Sequence, residues 1–198
     1  MGKWLNKIVL ESNIVRLEPL SHTHILGLTH ALEDGELWNL WYTSTPKPEE
    51  VKNYVDKAIE DFEKDIALPF AVFDIKKNVV VGTTRLMHAD AKNRRIEIGT
   101  TWYARPSQKT GINTSCKYLL LKYAFEILQC IAVEFRTHWH NIQSREAITR
   151  LGAKQDGILR NHQLDKLGNL RDTVVFSIID SEWKTVKQSL EFKMNKKY

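Results

Sequence analysis

A polar turn, Arg105-Pro-Ser-Gln-Lys-Thr-Gly-Ile-Asn113, runs directly into the apolar stretch Ser115–Leu128 and carries the clearest chemical signal in the 198-residue chain. The strand-like segment Ile96–Ala104 leads into this turn, and the turn opens a long helix. The first N–H groups of a helix have no partner inside it, so together with the positive end of the helix dipole they favour a phosphate or pyrophosphate. Arg105, Lys109 and Lys117 are expected to add mobile positive charge around such a site. With a single glycine, Gly111, the turn is also compatible with a plain helix-initiating loop.

Elements of both kinds must position this turn. Asn13–Leu20 alternates as a first strand, and Ser21 offers a cap for a helix toward Glu33. In Pro48–Ile66 the residues Val51, Tyr54, Val55, Ala58, Ile59, Phe62 and Ile66 recur at three- and four-residue steps, which predicts an amphipathic helix. Pro69–Ile75 and Val79–Met87 flank the turn Lys76-Lys-Asn78 as a hairpin, and a further strand follows from Arg94. Ala132–His140 reads as the strand after the long helix. Gly157–Gln163 and Thr173–Ile179 bracket Asp165–Asn169 as another hairpin, and Trp183, Val186, Lys187, Leu190 and Met194 predict a closing helix. The expectation is an α/β fold in one domain spanning 1–198, a mixed sheet with helices on both faces.

Around the turn, Ile96-Glu-Ile-Gly-Thr-Thr-Trp102, Gln108-Lys-Thr-Gly-Ile-Asn113 and Asn141-Ile-Gln-Ser-Arg-Glu-Ala-Ile-Thr-Arg-Leu-Gly-Ala153 closely resemble the GNAT family of acyl-CoA-dependent N-acetyltransferases. The resemblance, strongest to the branch related to ribosomal-protein N-terminal (alanine/serine) acetyltransferases, runs from about Ile14 to about Ile179. It implies a mostly antiparallel twisted sheet in which the strands Arg94–Tyr103 and Ala132–Trp139 splay apart to admit the pantetheine arm of acetyl-CoA, with Trp102 in the wall of the gap. Gly99 is the expected place for the bulge that starts the splay. The family's Gln-x-x-Gly-x-Gly/Ala loop cradles the pyrophosphate, so Gln108, Lys109, Thr110, Gly111, Ile112 and Asn113 are implied cofactor-binding residues. Asn113 departs from the pattern: its amide remains available, but a side chain is added.

Direct attack of an amine on a thioester requires a neutral amine. At pH 7 a lysine needs about 4.6 kcal/mol for deprotonation and an α-amine near 7.8 needs about 1 kcal/mol, so an N-terminal acceptor makes light demands on a base. Glu97, on the strand that should lead to the thioester and facing opposite Ile96 and Ile98, is the first candidate for that base, directly or through water; the resemblance implies Ser144 as the acid for the departing thiolate and Asn141 as a contact to the pantetheine amide. Without the resemblance, Glu97 reads equally as a polar residue on a solvent-facing strand surface, and Asn141 and Ser144 as ordinary helix-capping choices. Trp38, Trp41 and Tyr42 fall where the family covers the acceptor, and Arg85 and His88 stand near a strand end that could face it. Core packing of the three aromatics is the competing reading.

The net charge of +5 is a modest excess that favours an anionic cofactor and an acidic or RNA-bearing target surface, or is simply a solvated basic surface, since the charge is spread without a long arginine run; no specific nucleic-acid partner is expected. Cys116 and Cys130, beside or within one apolar run, read as buried thiols suited to a reducing cytosol. The amino terminus at Met1-Gly2 shows no apolar signal core and lacks Ser or Thr at position 6, and no window has the apolar length of a membrane span; a cytoplasmic protein is expected. Lys193–Lys197 reads as a basic, frayed helix end. His138 and His140 share a strand face without a third ligand at metal spacing, so no metal is expected. The resemblance implies acetyl-CoA and an amine acceptor as partners, and homodimerisation as a common family habit. A small amine acceptor, a non-catalytic acyl-CoA sensor and an RNA-binding module remain as alternatives.

Overall fold

The computed structural model describes residues 3–165 and 167–195. The readings at Met1 and Gly2, and at Lys196 and Lys197 of the basic tail, lie outside the described residues, as does Lys166 of the second hairpin turn. Eight strands form one sheet: β1 (Leu10–Glu11), β2 (Val15–Pro19), β3 (Ala67–Asp74), β4 (Val79–Asp90), β5 (Arg95–Tyr103), β6 (Ala132–His138), β7 (Lys154–Leu164) and β8 (Leu170–Ile179). Their spatial order is β1-β2-β3-β4-β5-β6-β8-β7, and every neighbouring pair is antiparallel except β5 and β6. Five helices cover the sheet: α1 (Ile25–Glu33), α2 (Val51–Glu63), α3 (Ile112–Lys122), α4 (Ile142–Leu151) and α5 (Asp180–Asn195).

Two apolar clusters follow from strand alternation. Phe70 and Val72 of β3 join a cluster with Cys116, Leu120 and Leu121 of α3 and Trp183, Val186 and Leu190 of α5. Ala71, between them, joins Leu28 and Leu32 of α1 and Val51, Val55 and Ala58 of α2. Successive Cβ atoms point to opposite faces, so one buried strand feeds two cores. The short β1 carries too little alternating sequence to be legible and exists by pairing with β2.

Strands β3, β4, β7 and β8 run two to three residues beyond the sequence reading at one end or more, and three helix ends differ for reasons visible in the structure. α2 stops at Glu63 because Asp65 takes φ +57°, and its carboxylate accepts hydrogen bonds from the Trp4 and Leu5 amides; Ile66 is therefore exposed and off the helix. The long central helix leaves α geometry at Tyr123 and finishes as a π-helical turn through Ile127. Lys193 is not frayed: it lies inside α5 and donates to the Arg150 carbonyl at 2.6 Å.

Candidate active site

β5 and β6 pair over only three residues, Arg95 with Ala132, Ile96 with Val133 and Glu97 with Glu134. Beyond Glu97 the strands separate. β6 continues as far as His138 paired only with β8, and β5 continues as far as Tyr103 paired only with β4. Two strand edges thus face each other across a wedge inside the sheet, each with backbone groups able to bond an extended ligand. Gly99 is not the bulge. It pairs with Arg85, and the extra residue falls at Thr100–Thr101, where Thr100 takes φ +47°. The absent side chain at 99 leaves room for two others: a Cβ would lie 2.7 Å from the Met87 sulfur and 2.9 Å from Glu97 Oε1, and both flexible side chains would have to shift.

β5 delivers the chain through a short 3-10 turn to α3, whose N-cap is Gly111. The Gln108 side chain donates to the Tyr103 carbonyl at 3.0 Å and ties the loop to the strand end; Thr110 Oγ1 donates to the Ser107 carbonyl at 2.7 Å. Lys109, Thr110 and Gly111 are exposed, Asn113 is half-buried, and the Ile112 side chain is in the core, with its amide 3.3 Å from Thr110 Oγ1. The left-handed residue is Lys109 (φ +58°); Gly111 has φ −69°, and a Cβ there would meet only Ile14 Cδ1 at 3.4 Å, so the absent side chain keeps the helix start open. This cradle of first-turn amides fits an anionic diphosphate, with exposed Arg105 and Lys109 nearby. Lys117 does not contribute mobile charge there. It is buried under the sheet, where its Nζ bonds Thr101 Oγ1 at 2.6 Å and Thr84 Oγ1 at 3.1 Å.

Glu97 stands where the wedge opens and is 6% exposed, not on a wet surface. Its Oε2 lies 2.8 Å from His88 Nδ1 and 3.4 Å from Arg136 Nε. Glu134 beside it is held by Arg95 and Arg136; burial pushes that carboxyl up, but the two guanidinium groups outweigh burial and keep it below the ordinary range. The hydrogen bond that His88 donates to Glu97 raises the pKa of His88. Arg136 and Glu134 are site residues that sequence reading overlooked. Their alternation with His138 on β6 is visible, but only the parallel register places them beside Glu97.

At the far end of β6, Trp41, Tyr42, His138 and His140 form an aromatic group. The Trp41 ring is 5.0 Å from His138, edge-on, 5.6 Å from His140 and 5.6 Å from Tyr42. Trp41 remains 53% exposed. His138 Nδ1 accepts from the His140 amide at 3.0 Å, and burial, with Arg171 and His140 nearby, lowers its pKa. Among the described residues no group of three metal-ligating side chains occurs. Trp38 packs instead against the α1/α2 core, as does Trp102, whose ring centroid is 6.4 Å from that of Tyr54. Arg85 lies over the Tyr54 ring, 3.6 Å from Asp61, and is buried. Asn141 caps α4 through Oδ1, which accepts from the Ser144 amide at 3.0 Å; Asn141 Nδ2 and the Ser144 hydroxyl have no protein partner among the described residues. Burial raises Cys116 to about 12 and Cys130 to about 11, which leaves both as unreactive thiols.

The profile of the acetyltransferase (GNAT) domain family matches residues 15–154, more than half of the chain. The chain belongs to the GNAT acetyltransferase family. A GCN5-related N-acetyltransferase from Brucella melitensis is similar to it at 32% identity, with a TM-score of 0.86 over 98% of this chain and 87% of that one. Two structures share the GNAT fold at 16% identity. One is the ribosomal L7/L12 α-N-protein acetyltransferase RimL, with a TM-score of 0.77 over 88% of this chain and 96% of that one. The other is the microcin C7 self-immunity acetyltransferase MccE in complex with acetyl-CoA and AMP, with a TM-score of 0.74 over 85% and 93%. No curated protein matches the sequence. The GNAT acetyltransferase fold is one that uses acetyl-CoA, and the amide cradle before α3 and the β5/β6 wedge have the donors and the open strand edges that a diphosphate and an extended arm require.

Proposed function

We propose that this GNAT acetyltransferase transfers acetyl to a protein N-terminal α-amine in a ternary complex, within one domain. The observation that carries the reading is the position of Glu97, a buried carboxylate at the opening of the β5/β6 wedge, hydrogen-bonded to His88 and ion-paired with Arg136. A carboxylate paired with one imidazole and one guanidinium makes a mild base system. Such a system suits an amine that is partly neutral near pH 7 and poorly suits a lysine or polyamine side chain.

The Lys109–Asn113 amides would hold the diphosphate of the donor, and Asn141 Nδ2, left over from capping, would donate to its arm. The Ser144 hydroxyl would stabilise the departing sulfur. Exposed Trp41, with Tyr42, would contact the acceptor. The fold shared with RimL is consistent with a protein acceptor.

Incubation with isotope-labelled acetyl-CoA and a crude cell extract, separated into macromolecular and small-molecule fractions, tests the reading. Enzyme-dependent label on protein α-amines supports it. Label confined to small molecules replaces it with a metabolite acetyltransferase, and donor binding without any transfer replaces it with a sensor.

A further inference from the structure

We infer that His88, not Glu97, is the residue that accepts the proton of the attacking amine, and that Glu97 is its positioning partner. The inference rests on the acetyl-transfer reading above. Its starting point is a backbone irregularity. Met87 pairs with Glu97, so His88, the next residue in β4, should point to the opposite face. The β4/β5 register instead shifts between Met87 and Asp90, and His88 adopts φ +49°. A non-glycine residue in that conformation is strained by roughly 1 kcal/mol, and bulges recur where a side chain must be re-aimed. Here the result of the re-aiming is explicit: the imidazole is carried over the Glu97 carboxylate, with Nδ1 2.8 Å from Oε2.

The two partners differ in access. Glu97 is buried and its Oε2 is shared by His88 and Arg136, whereas the His88 side chain is 62% exposed. An ionised carboxylate only accepts hydrogen bonds, so the neutral imidazole must present Nδ1–H to Glu97, which leaves the Nε2 lone pair outward. Nε2 has no protein partner among the described residues. The charged groups facing His88 are Glu97 of β5 and Glu134 and Arg136 of β6; Glu97 dominates and makes the imidazole a stronger base than an isolated histidine. In the step, the amine nitrogen bonds the thioester carbonyl carbon, its proton passes to His88 Nε2, and the C–S bond breaks. The electron pair leaves on sulfur, which takes the proton of the Ser144 hydroxyl; water reprotonates Ser144 and receives the proton held by His88, so amide and free thiol are the net products.

The conformation of His88 supplies a direct test. Glycine tolerates φ +49°, so His88→Gly should fold and leave Glu97 Oε2 open to a free imidazole. CoA release is followed with a peptide bearing a free N-terminal serine or alanine. His88→Gly should lower kcat by roughly a hundredfold or more, with an unchanged KM for acetyl-CoA, and added imidazole should restore turnover. In Glu97→Gln the acidic limb of the kcat profile should move to lower pH, because the partner that raises the His88 pKa is gone. Undiminished turnover in His88→Gly, or a loss that imidazole does not restore with an unmoved limb in Glu97→Gln, overturns the inference. Wild-type protein that releases CoA with a small amine but not with the peptide overturns the α-amine reading alone, and His88 is then tested unchanged on that amine.

Discussion

The Lys117 ammonium lies 2.6 Å from the Thr101 hydroxyl, beneath the β5 bulge, with Thr84 as its other hydrogen-bond partner at 3.1 Å and no carboxylate in ion-pair contact among the described residues. Burial lowers its pKa to about 8 from 10.5, only partly opposed by the neighbouring Cys116. A basic group whose folded pKa is depressed opposes folding below that pKa, and the penalty fades as pH rises to the unfolded value. Wild-type stability relative to Lys117→Met should therefore rise by about 3 kcal/mol between pH 8 and about 10.5 and be flat below pH 7. Denaturant unfolding of both proteins across that range checks it; a gap independent of pH would exclude the charge as its cause.

Gly82 should not tolerate a side chain. It has φ +157°, and a Cβ would lie 2.1 Å from the Trp102 carbonyl oxygen, a backbone atom that can move only with β5. Gly82→Ala should cost at least about 3 kcal/mol and lower Tm sharply, read by thermal unfolding. A change below 1 kcal/mol would mean that β4 and β5 are less tightly apposed than here.

Ser144 and Asn141 should separate by assay. Ser144 serves the helix cap through its backbone amide, so Ser144→Ala should fold normally and retain acetyl-CoA affinity while losing roughly tenfold or more in kcat. Asn141→Ala removes the cap itself and should cost about 1 kcal/mol of stability as well as donor affinity. Calorimetric acetyl-CoA titration beside steady-state kinetics distinguishes the two, and unchanged turnover in Ser144→Ala would remove its role as acid.

Trp41 is expected to act in acceptor binding because a large aromatic side chain stays half exposed against the buried His138. Trp41→Ala should raise the acceptor KM roughly tenfold with little effect on Tm or on the KM for acetyl-CoA. Trp38→Ala, by contrast, should lower Tm, since Trp38 packs on the α1/α2 core.

By itself the sequence determined most of the elements, the two-faced sheet and the loop that opens α3. These depend on local periodicity and on helix-end chemistry, which are written in consecutive residues: Val51 to Phe62 recur at helical steps, and Gln108–Asn113 precede an apolar run. The resemblance carried by Ile96–Trp102 and Asn141–Ala153 supplied the family, confirmed by the match over residues 15–154. Tertiary structure alone decided which charges meet. Lys117 reads as a mobile cation and is buried; Glu97 reads as a wet carboxylate and is enclosed by His88 and Arg136. His88 reaches Glu97 only because a left-handed residue breaks strand alternation, and Arg136 does so only through the parallel β5/β6 register, 39 residues away in sequence. Alternation tells which residues share a face of one strand, but the pairing of two strands is set by packing across the whole sheet.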